Sequence, residues 1–301
     1  MANTTTYVQK GQHKELSDIV ENIAPVDTPF QSMIGKSKSG NTLFNWTEED
    51  LAAVGDNALI EGADAPAATD NILAERQNYT QIFAKTVSLS GSSQANSLAG
   101  DVQTMAHQVA LRAKEIKRDV EYAYVGSGQV AAAGTSAAAR KTAGYQAQVD
   151  AANVIDKAGA AVTEADIQEM LVRLYEEGAT PDVIMCHPRL RVAVTNVLTD
   201  KSGRIRDLAD STKLVNSISV YTSDVGEVEL HNNRFVKFDT TAGTGDILIF
   251  DSSMWEEVVL RPYKVEELAK TGDSDKKMLV VEKGLKNRAF KSAGLITGVL
   301  A

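Results

Sequence analysis

The chain has 301 residues, of which 43% are hydrophobic and 24% charged, and its net charge at pH 7 is −9. This length can bury a sizeable core in about one to three domains, and the composition is ordinary for a soluble globular protein. Nonspecific binding of nucleic acid requires an excess of Lys and Arg to displace counterions from phosphates, so the acidic balance argues against that class of function.

The sequence also carries no export or membrane signal. Its single cysteine, Cys186, excludes an intrachain disulfide and is typical of a protein made in a reducing cytoplasm. The N-terminal residues lack the basic and apolar regions of a secretory signal. No apolar run approaches the roughly 20 residues that span a bilayer, so we expect no contact with a membrane.

The first predicted element is a short amphipathic helix followed by extended chain. Four apolar residues have the i, i+3, i+4, i+7 spacing of one helix face: Leu16, Ile19, Val20 and Ile23. Pro25 then ends the helix because it lacks an N–H. Three apolar anchors follow: Phe30, Met33 and Ile34. So short a helix is marginal in water and these anchors are too few for a core, so we predict an arm that lies on another molecule.

The next segment is predicted to be a long hairpin that projects from the body. Two β-favouring stretches, residues 41–46 and 79–89, flank a tract rich in Ala, Gly, Asp and Asn that offers little to pack. In the second stretch apolar and polar residues alternate, with Ile82 and Phe83 on opposite faces. A two-stranded hairpin alone is barely stable in water, so this one needs a neighbour.

A long amphipathic helix is predicted after the hairpin. Apolar residues step by three or four positions from Leu98 to Ala123. We predict that the helix begins between Ser97 and Asp101 and stops at the Gly-Ser-Gly of residues 126–128. At roughly 1.5 Å per residue it would be about 40 Å long, more than a small domain requires, so we interpret it as a structural spine.

The remaining chain predicts a mixed α+β fold. Residues 130–161 are Ala-rich and indicate a loop with short helical pieces. Thr163 and Asp166 resemble a capping box for a helix that Gly178 ends, and a helix starting at Pro188 follows a buried strand at 183–186. Strands are then expected at 218–221, 226–230, 235–238, 246–250, 255–260 and 278–281. Helices and strands in this order favour the α+β class.

No motif indicates catalysis, a cofactor or a metal. Residues 35–37, Gly-Lys-Ser, match the end of a phosphate-binding loop, but Phe30 stands where that motif needs Gly. Cys186 and His187 are adjacent on a predicted strand, so they point to opposite faces and cannot easily pair as nucleophile and base. The other histidines lack the spacing of a metal-ligand pair: His13, His107 and His231. We predict no catalytic residue, no cofactor and no metal.

Four stretches, taken in order, resemble the major capsid proteins of tailed bacteriophages, which have the Hong Kong 97-like shell fold. They are DIVENIAPVDTPFQSMIGKSKSGNTLFNW at 18–46, ARKTAG at 139–144, VYTSDVGEVELHNNRFV at 220–236 and TGDSDKKMLVVEKGLKNRAFKSAGLITGVL at 271–300. Together they cover both ends and the middle of the chain. The resemblance therefore implies a fold for the whole chain, of the class predicted independently above.

The resemblance implies four parts. These are an N-terminal arm (1–40), an extended loop (41–90), a peripheral domain with the spine helix (91–162 and 254–301) and an axial domain (163–253). In that family the arm and the loop reach across adjacent subunits. Candidate inter-subunit contacts are therefore the apolar and aromatic residues of both segments: Phe30, Met33, Ile34, Phe44, Trp46, Ile82 and Phe83.

The resemblance also implies a function. Many copies would form pentamers and hexamers of an icosahedral virion shell, assembled in the host bacterial cytoplasm and enclosing DNA without specific binding. Portal, scaffolding and decoration proteins are the expected partners. Because the chain starts almost directly with the arm, we expect scaffolding to come from a separate protein. The Lys and Asn cross-linking of some relatives has no matching motif here.

Two alternatives stay open from sequence. The first is the shell of a cellular, encapsulin-like nanocompartment, which has the same fold and encloses enzymes instead of a genome. The second is a cytosolic enzyme with a dispersed site, although an arm and a thin hairpin are then hard to explain.

Overall fold

The computed structural model describes residues 27–52, 54–62, 64–65, 73–95, 104–200, 219–270 and 272–301. The predicted arm helix at 16–23 lies outside these residues. The described helices are α1 Pro29–Met33, α2 Gly91–Ala95, α3 Met105–Glu121, α4 Glu164–Glu176 and α5 Pro188–Asp200. A π-helical turn, Tyr122–Gly126, continues α3.

The described strands form two large sheets and a hairpin. Their bounds are β1 Gly35–Lys38, β2 Leu43–Glu48, β3 Ala74–Tyr79, β4 Gln81–Ser90, β5 Val154–Asp156, β6 Val183–Cys186, β7 Val220–Thr222, β8 Glu227–Asn232, β9 Phe238–Asp239, β10 Thr244–Phe250, β11 Trp255–Leu268, β12 Ser274–Asn287 and β13 Ala293–Leu300. The mixture of helices and two sheets confirms the predicted α+β class.

The first sheet has the order β1-β11-β12-β4 and carries α3 on one face. Strand β1 runs parallel to β11, and the other pairs are antiparallel. Lys85 on β4 pairs with Glu115 and Asp119 of α3, which fixes the helix on that face. Phe83 and Val87 lie on the same face and are buried, whereas Ile82 is 51% exposed, so the alternation predicted for this strand is present.

The hairpin pairs different residues from those predicted. Strand β2 pairs with β3, from Leu43 opposite Tyr79 to Glu48 opposite Ala74, while β4 leaves the hairpin and joins β12. The prediction that residues 79–89 form the second hairpin strand is therefore wrong. The physical reason is the buried face of β4, because Phe83 and Val87 need a sheet and a helix to cover them and a thin hairpin offers neither.

The second sheet has the order β5-β13-β10-β6-β8-β7, with β9 also paired to β10. Its central strands β6 and β10 are buried on both sides, because alternate residues enter two different cores. One core is formed with α4 and α5, and the other is shared with α3. The terminal strand β13 belongs to this sheet, so the predicted boundary at 253/254 does not separate the two sheets.

Several local predictions for the second sheet and the helices packed on it are confirmed. Thr163 Oγ1 accepts the backbone N–H of Asp166, whose carboxylate accepts the N–H of Thr163, which is the capping box expected for α4. Gly178 has a φ of +87°, the left-handed conformation that ends helices. The buried strand at 183–186 and the helix starting at Pro188 are both present.

The spine helix begins later than predicted. Thr104 has extended backbone angles and its side chain accepts the N–H of His107, so α3 begins at Met105 rather than between residues 97 and 101. The predicted stop is confirmed, since the π-helical turn ends at Gly126. A Cβ at that position would collide with the carbonyl oxygen of Phe235, so only Gly allows this close approach.

Candidate assembly surfaces

The segment predicted as the arm enters the core of its own chain at Phe30. Its ring is fully buried and its centroid lies 5.5–6.4 Å from those of four other aromatic rings. These are Tyr124, Tyr145, Phe250 and Trp255. All four contacts are edge-on, the geometry that aromatic quadrupoles favour. Helix α1 is thereby fixed between the two sheets.

A buried carboxylate caps this short helix from another element. Thr28, the N-cap of α1, makes no side-chain capping bond. Instead the carboxylate of Glu121 accepts the backbone N–H of Phe30 at 2.8 Å and that of Gln31 at 3.1 Å. The same carboxylate accepts the side-chain amides of Gln31, at 2.9 Å, and of Asn233, at 2.7 Å. Burial raises the pKa of Glu121, although these four donors oppose the rise.

The apolar residues predicted to anchor the arm on another molecule are covered, wholly or partly, by their own chain instead. Phe30 and Ile34 belong to the core of their own chain, and Met33 packs partly against it. Strand β1, also inside the predicted arm range of 1–40, is part of the first sheet. Any contact of Met33 with a second subunit stays a prediction. Phe30 and Ile34 expose almost no surface with which a second subunit could make such a contact.

The base of the hairpin is fixed to the body by a buried amide. Asn78 donates to the carbonyl oxygen of Leu285 at 2.6 Å and accepts the N–H of Ala143 at 2.8 Å. Phe44, on the facing strand, lies over Gly284, where a Cβ would approach the ring to 2.8 Å. Both strands of the hairpin are thus joined to β12 at this point.

Farther from the base, the hairpin follows the chain that comes after β12. Trp46 stacks on Phe44 and lies near Phe290, with ring centroids 6.0 and 6.3 Å apart. Glu48 accepts the N–H of Phe290 at 3.0 Å. Asp50 then pairs with Lys291 at 2.8 Å. Residues 46–50 thus contact Phe290 and Lys291, which follow β12, so the hairpin runs away from the first sheet.

The tip of the hairpin exposes large apolar side chains. Five of them are more than half exposed: Leu51, Val54, Leu59, Ile60 and Leu73. Scattered exposed apolar residues are normal, but five on one loop make it a candidate interaction surface. We call residues 49–73 the hairpin tip. This group was missed from sequence because its apolar residues follow neither a helical nor a strand period.

The structure places the four candidate contact residues of the extended loop in different surroundings. Phe44 and Trp46 are brought together on the hairpin, and Trp46 is largely buried against the body. Phe83 packs beneath α3, whereas Ile82 points away from the helix and is exposed. Of these four, Ile82 has the most surface available to a partner. Their inter-subunit roles stay predictions.

Cys186 and His187, the adjacent thiol and imidazole noted in the sequence, both lie in the described part of the chain. Cys186 is buried, which raises the pKa of its thiol to about 12. The ring of His187 stacks on Phe238 at 4.7 Å, and burial together with Arg189 lowers the pKa of His187. Among the described residues, no group of three or more His, Cys, Asp or Glu side chains could hold a metal ion, and no helix could cross a membrane.

Solved structures with a similar fold include a capsid and an encapsulin complex. The capsid of a native GTA particle matches with a TM-score of 0.67 and 13% identity, covering 98% of this chain and 97% of that one. The holo-SrpI encapsulin complex from Synechococcus elongatus PCC 7942 matches with a TM-score of 0.64 and 12% identity, covering 96% and 92%. The fold is therefore the Hong Kong 97-like fold of shell proteins, as expected.

Sequence comparison defines the family within that class. The model of the family described as SU10 major capsid protein matches residues 1–300. The major capsid protein of Escherichia phage Phieco32 is 29% identical over 350 residues, covering 98% of this chain and 97% of the relative. The chain belongs to the SU10 major capsid protein family. The main prediction, a major capsid protein of a tailed phage, is confirmed, and the encapsulin-like alternative shares only the fold.

Proposed function

We propose that copies of this chain form pentamers and hexamers that close into the icosahedral shell of a virion. The hairpin tip is the observation that carries this proposal. Its exposed apolar side chains cost free energy in water, whereas the hairpin base is already fixed to its own body. A shell gives every tip the same receptor, because heterologous contacts repeat from copy to copy. Many such contacts per subunit stabilise the particle through multivalency.

Each part of the chain then has an assembly role. Residues 1–40 are the arm, anchored at Phe30 so that the residues before it can reach an adjacent subunit. Residues 41–90 are the extended loop, of which the hairpin tip makes the contact. The peripheral domain is formed by 91–162 and 254–301, and the axial domain by 163–253 with strand β13 added to its sheet.

The shell encloses DNA without binding it specifically. A net charge of −9 supports this, because an acidic wall does not retain phosphates. The role is structural and not enzymatic. Portal and separate scaffolding or decoration proteins complete the particle, and assembly takes place in the host bacterial cytoplasm. The single buried thiol is compatible with that reducing compartment.

Expression of the chain alone, and then with its genomic neighbours, tests the proposal by electron microscopy. We expect closed shells in at least one of the two preparations. Deletion of residues 2–26 should abolish or deform the particles while leaving a folded body. The deletion stops before Thr28 because loss of Phe30 would remove the centre of the core. A full-length chain that stays monomeric in both preparations would contradict the proposal.

A further inference from the structure

Helix α3 covers only part of one face of the first sheet. It packs on β4 and β12, where Phe83 and Leu279 are buried in the core. On the same face, the neighbouring strand β11 carries Tyr263, which is 37% exposed, and Val265, which is 43% exposed. The register gives the face, because Val265 lies opposite Leu279 and the ring of Tyr263 lies over Lys283. The described residues therefore leave two large apolar side chains partly uncovered beside the helix.

The ring of Tyr263 is held in place by a buried ion pair. Nζ of Lys283 lies 4.7 Å from the centroid of this ring and 2.9 Å from the carboxylate of Glu257. The side chains of Lys283 and Glu257 are only 9% and 3% exposed. A desolvated cation over an aromatic face is a favourable contact. Because the ring is fixed in advance, covering it costs a partner little conformational entropy.

Four exposed lysines flank these two apolar side chains. The pairing of β1 with β11 places Lys36 and Lys38 on the side of the sheet that carries α3. The side-chain amide of Gln31 in α1 donates to the carbonyl oxygen of Lys117 at 2.9 Å. Lys117, and Lys114 three residues before it, therefore lie on the side of α3 that faces α1 and the start of β1.

The strand register also places the exposed part of β11 level with the middle of α3. Val265 is opposite Leu279, which is opposite Lys85, and Lys85 pairs with Glu115 of the helix. Lys114 precedes Glu115 directly. We call this surface the basic face, defined by Lys36, Lys38, Lys114, Lys117, Tyr263 and Val265.

The positive charge of the basic face is not neutralised by the described part of its own chain. None of its four lysines forms an ion pair with an acidic residue there. Lysines elsewhere on β11 and β12 are paired: Lys264, Lys277, Lys283 and Lys286. In a chain whose net charge is −9, this face is a local concentration of positive charge that attracts anionic groups.

The size and the charge of the basic face favour a reversible partner. Permanent contacts between subunits are larger and more apolar than a surface with two apolar and four charged side chains. A matching segment is acidic and carries an apolar side chain for Tyr263 and Val265. Exposed ion pairs add modest affinity, but they speed the encounter and make it sensitive to salt. Such a contact suits a protein that binds during assembly and leaves afterwards.

We infer that the basic face binds an acidic, partly apolar segment of a second protein that is not a copy of this chain. Carboxylates of that segment pair with the four lysines, and its apolar side chain covers Tyr263 and Val265. This inference rests on the proposed function, in which separate proteins complete the particle, and it gives one of them a surface on the subunit.

Fluorescence anisotropy tests this binding on the full-length chain. The probe is a labelled short peptide of Glu, Leu and Phe, and two matched peptides replace either its Glu residues by Gln or its apolar residues by Ser. The chain should bind the probe at least about tenfold more tightly than either matched peptide, because both parts of the contact contribute. The affinity should fall as the salt concentration rises.

Two sets of variants locate the binding site. Replacing the four lysines of the basic face by Gln should raise the Kd of the probe at least about tenfold, since several modest attractions are lost together. Val265→Ser should raise the Kd with every charge in place. The matched control removes four charges from exposed positions elsewhere and should bind as wild type does: Lys141→Gln, Lys237→Gln, Lys264→Gln and Lys270→Gln.

Other results would overturn the inference. Equal losses in the two fourfold variants would show that only net charge matters, and a wild-type chain that ignores the probe would show no site. Tighter binding of duplex DNA, lost in the basic-face variant, would assign the face to nucleic acid. Displacement of the probe by unlabelled chain would assign it to another copy. Probe binding at least about tenfold tighter after deletion of residues 2–26 would assign it to the arm.

Particle formation separates this inference from the proposed function. Expressed with its genomic neighbours, the basic-face variant should give fewer closed shells than the control variant. Equal yields would overturn the inference and leave shell assembly standing. A wild-type chain that forms no particles contradicts the proposed function, whether or not the probe binds.

Discussion

At the scale of single residues, Phe30 joins parts of the chain that are far apart in sequence. Its ring contacts residues of the π-helical turn, the loop after it, β10 and the start of β11. The two sheets meet at this point, because the shared core contains alternate residues of both. One apolar side chain of a five-residue helix therefore contributes to the stability of the whole body.

Replacement of Phe30 tests this packing. Phe30→Ala should lower the free energy of unfolding of the unassembled subunit by about 3–5 kcal/mol, the cost of removing a fully buried aromatic ring and leaving a cavity. Urea unfolding followed by tryptophan fluorescence measures it, since Trp255 lies 5.8 Å away. The control Ile82→Ala, at a half-exposed position, should cost less than about 1 kcal/mol. Equal losses in both variants would contradict the central position of Phe30.

Glu121 makes a pH-dependent contribution whose sign follows from its pKa. Burial raises that pKa above the ordinary 4.5. A group whose pKa is raised on folding contributes stability that is complete below its unfolded pKa and is lost as the pH rises through the folded value. Glu121→Gln cannot ionise. The stability of wild type relative to this variant should therefore fall as the pH rises above 4.5.

A second carboxylate on α3 is the matched control for Glu121. Arg112 donates to Glu115 and, with Lys85, lowers its pKa. Its stabilising contribution should be lost as the pH falls through that lowered value, so Glu115→Gln should show the opposite trend. Urea unfolding of the subunits across the acidic and neutral range measures both. Parallel trends in the two variants would refute the assignment of burial as the dominant cause at Glu121.

At the scale of elements, the hairpin divides into a base fixed to the body and an exposed tip. The base is held by Asn78 and by the contact of Glu48 with Phe290, and Asp50, at the start of the tip, pairs with Lys291. The described residues of the tip are exposed, with apolar side chains that the described part of the chain does not cover. The base therefore contributes to the stability of the subunit, and the contact between subunits is proposed for the tip.

Substitutions at the two ends should separate these effects. Leu59→Ser with Ile60→Ser should leave the free energy of unfolding of the subunit, measured by thermal unfolding, within about 0.5 kcal/mol of wild type. Both side chains are mostly exposed, so little packing is lost. The same pair should reduce particle yield in electron micrographs. Asn78→Ala, in contrast, should destabilise the subunit by leaving buried groups without partners. Unchanged assembly of the tip variant would remove the tip from the set of contact surfaces.

At the scale of the whole molecule, charge is distributed unevenly. The hairpin tip carries −6, and the rest of the chain carries −3. The body alone is thus close to neutral and can pack against copies of itself with little repulsion.

Proteolysis distinguishes the free subunit from the particle. The hairpin tip contains Glu49 and Glu61 but no Lys or Arg, so a glutamate-specific protease can cut within it and trypsin cannot. We expect rapid cleavage after Glu61 in the dilute subunit and protection in the assembled shell, because exposed loop tips are preferred cleavage sites. Mass spectrometry of the fragments gives the position. A tip that resists the protease in the isolated subunit would show that its own chain covers it.

Periodic and local features were predictable from sequence. The capping box at Thr163, the stop at Gly126, the buried strand at 183–186 and the alternation around Phe83 all follow from interactions within a few residues. Each depends on backbone geometry or on one buried face, which the residue order specifies directly. The class of protein followed from the resemblance of whole stretches, which the family match then confirmed.

Only the tertiary structure shows which residues and strands that are distant in sequence pair with each other. Nothing near Glu121 in the sequence indicates that it caps α1, about ninety residues earlier. Strand β4 pairs with β12 instead of completing the hairpin, and β13 joins the sheet of β6 and β10. A strand edge or a carboxylate can accept many partners, and the choice depends on which arrangement buries the most apolar surface. That is a property of the packed whole, so the residue pattern of one segment does not contain it.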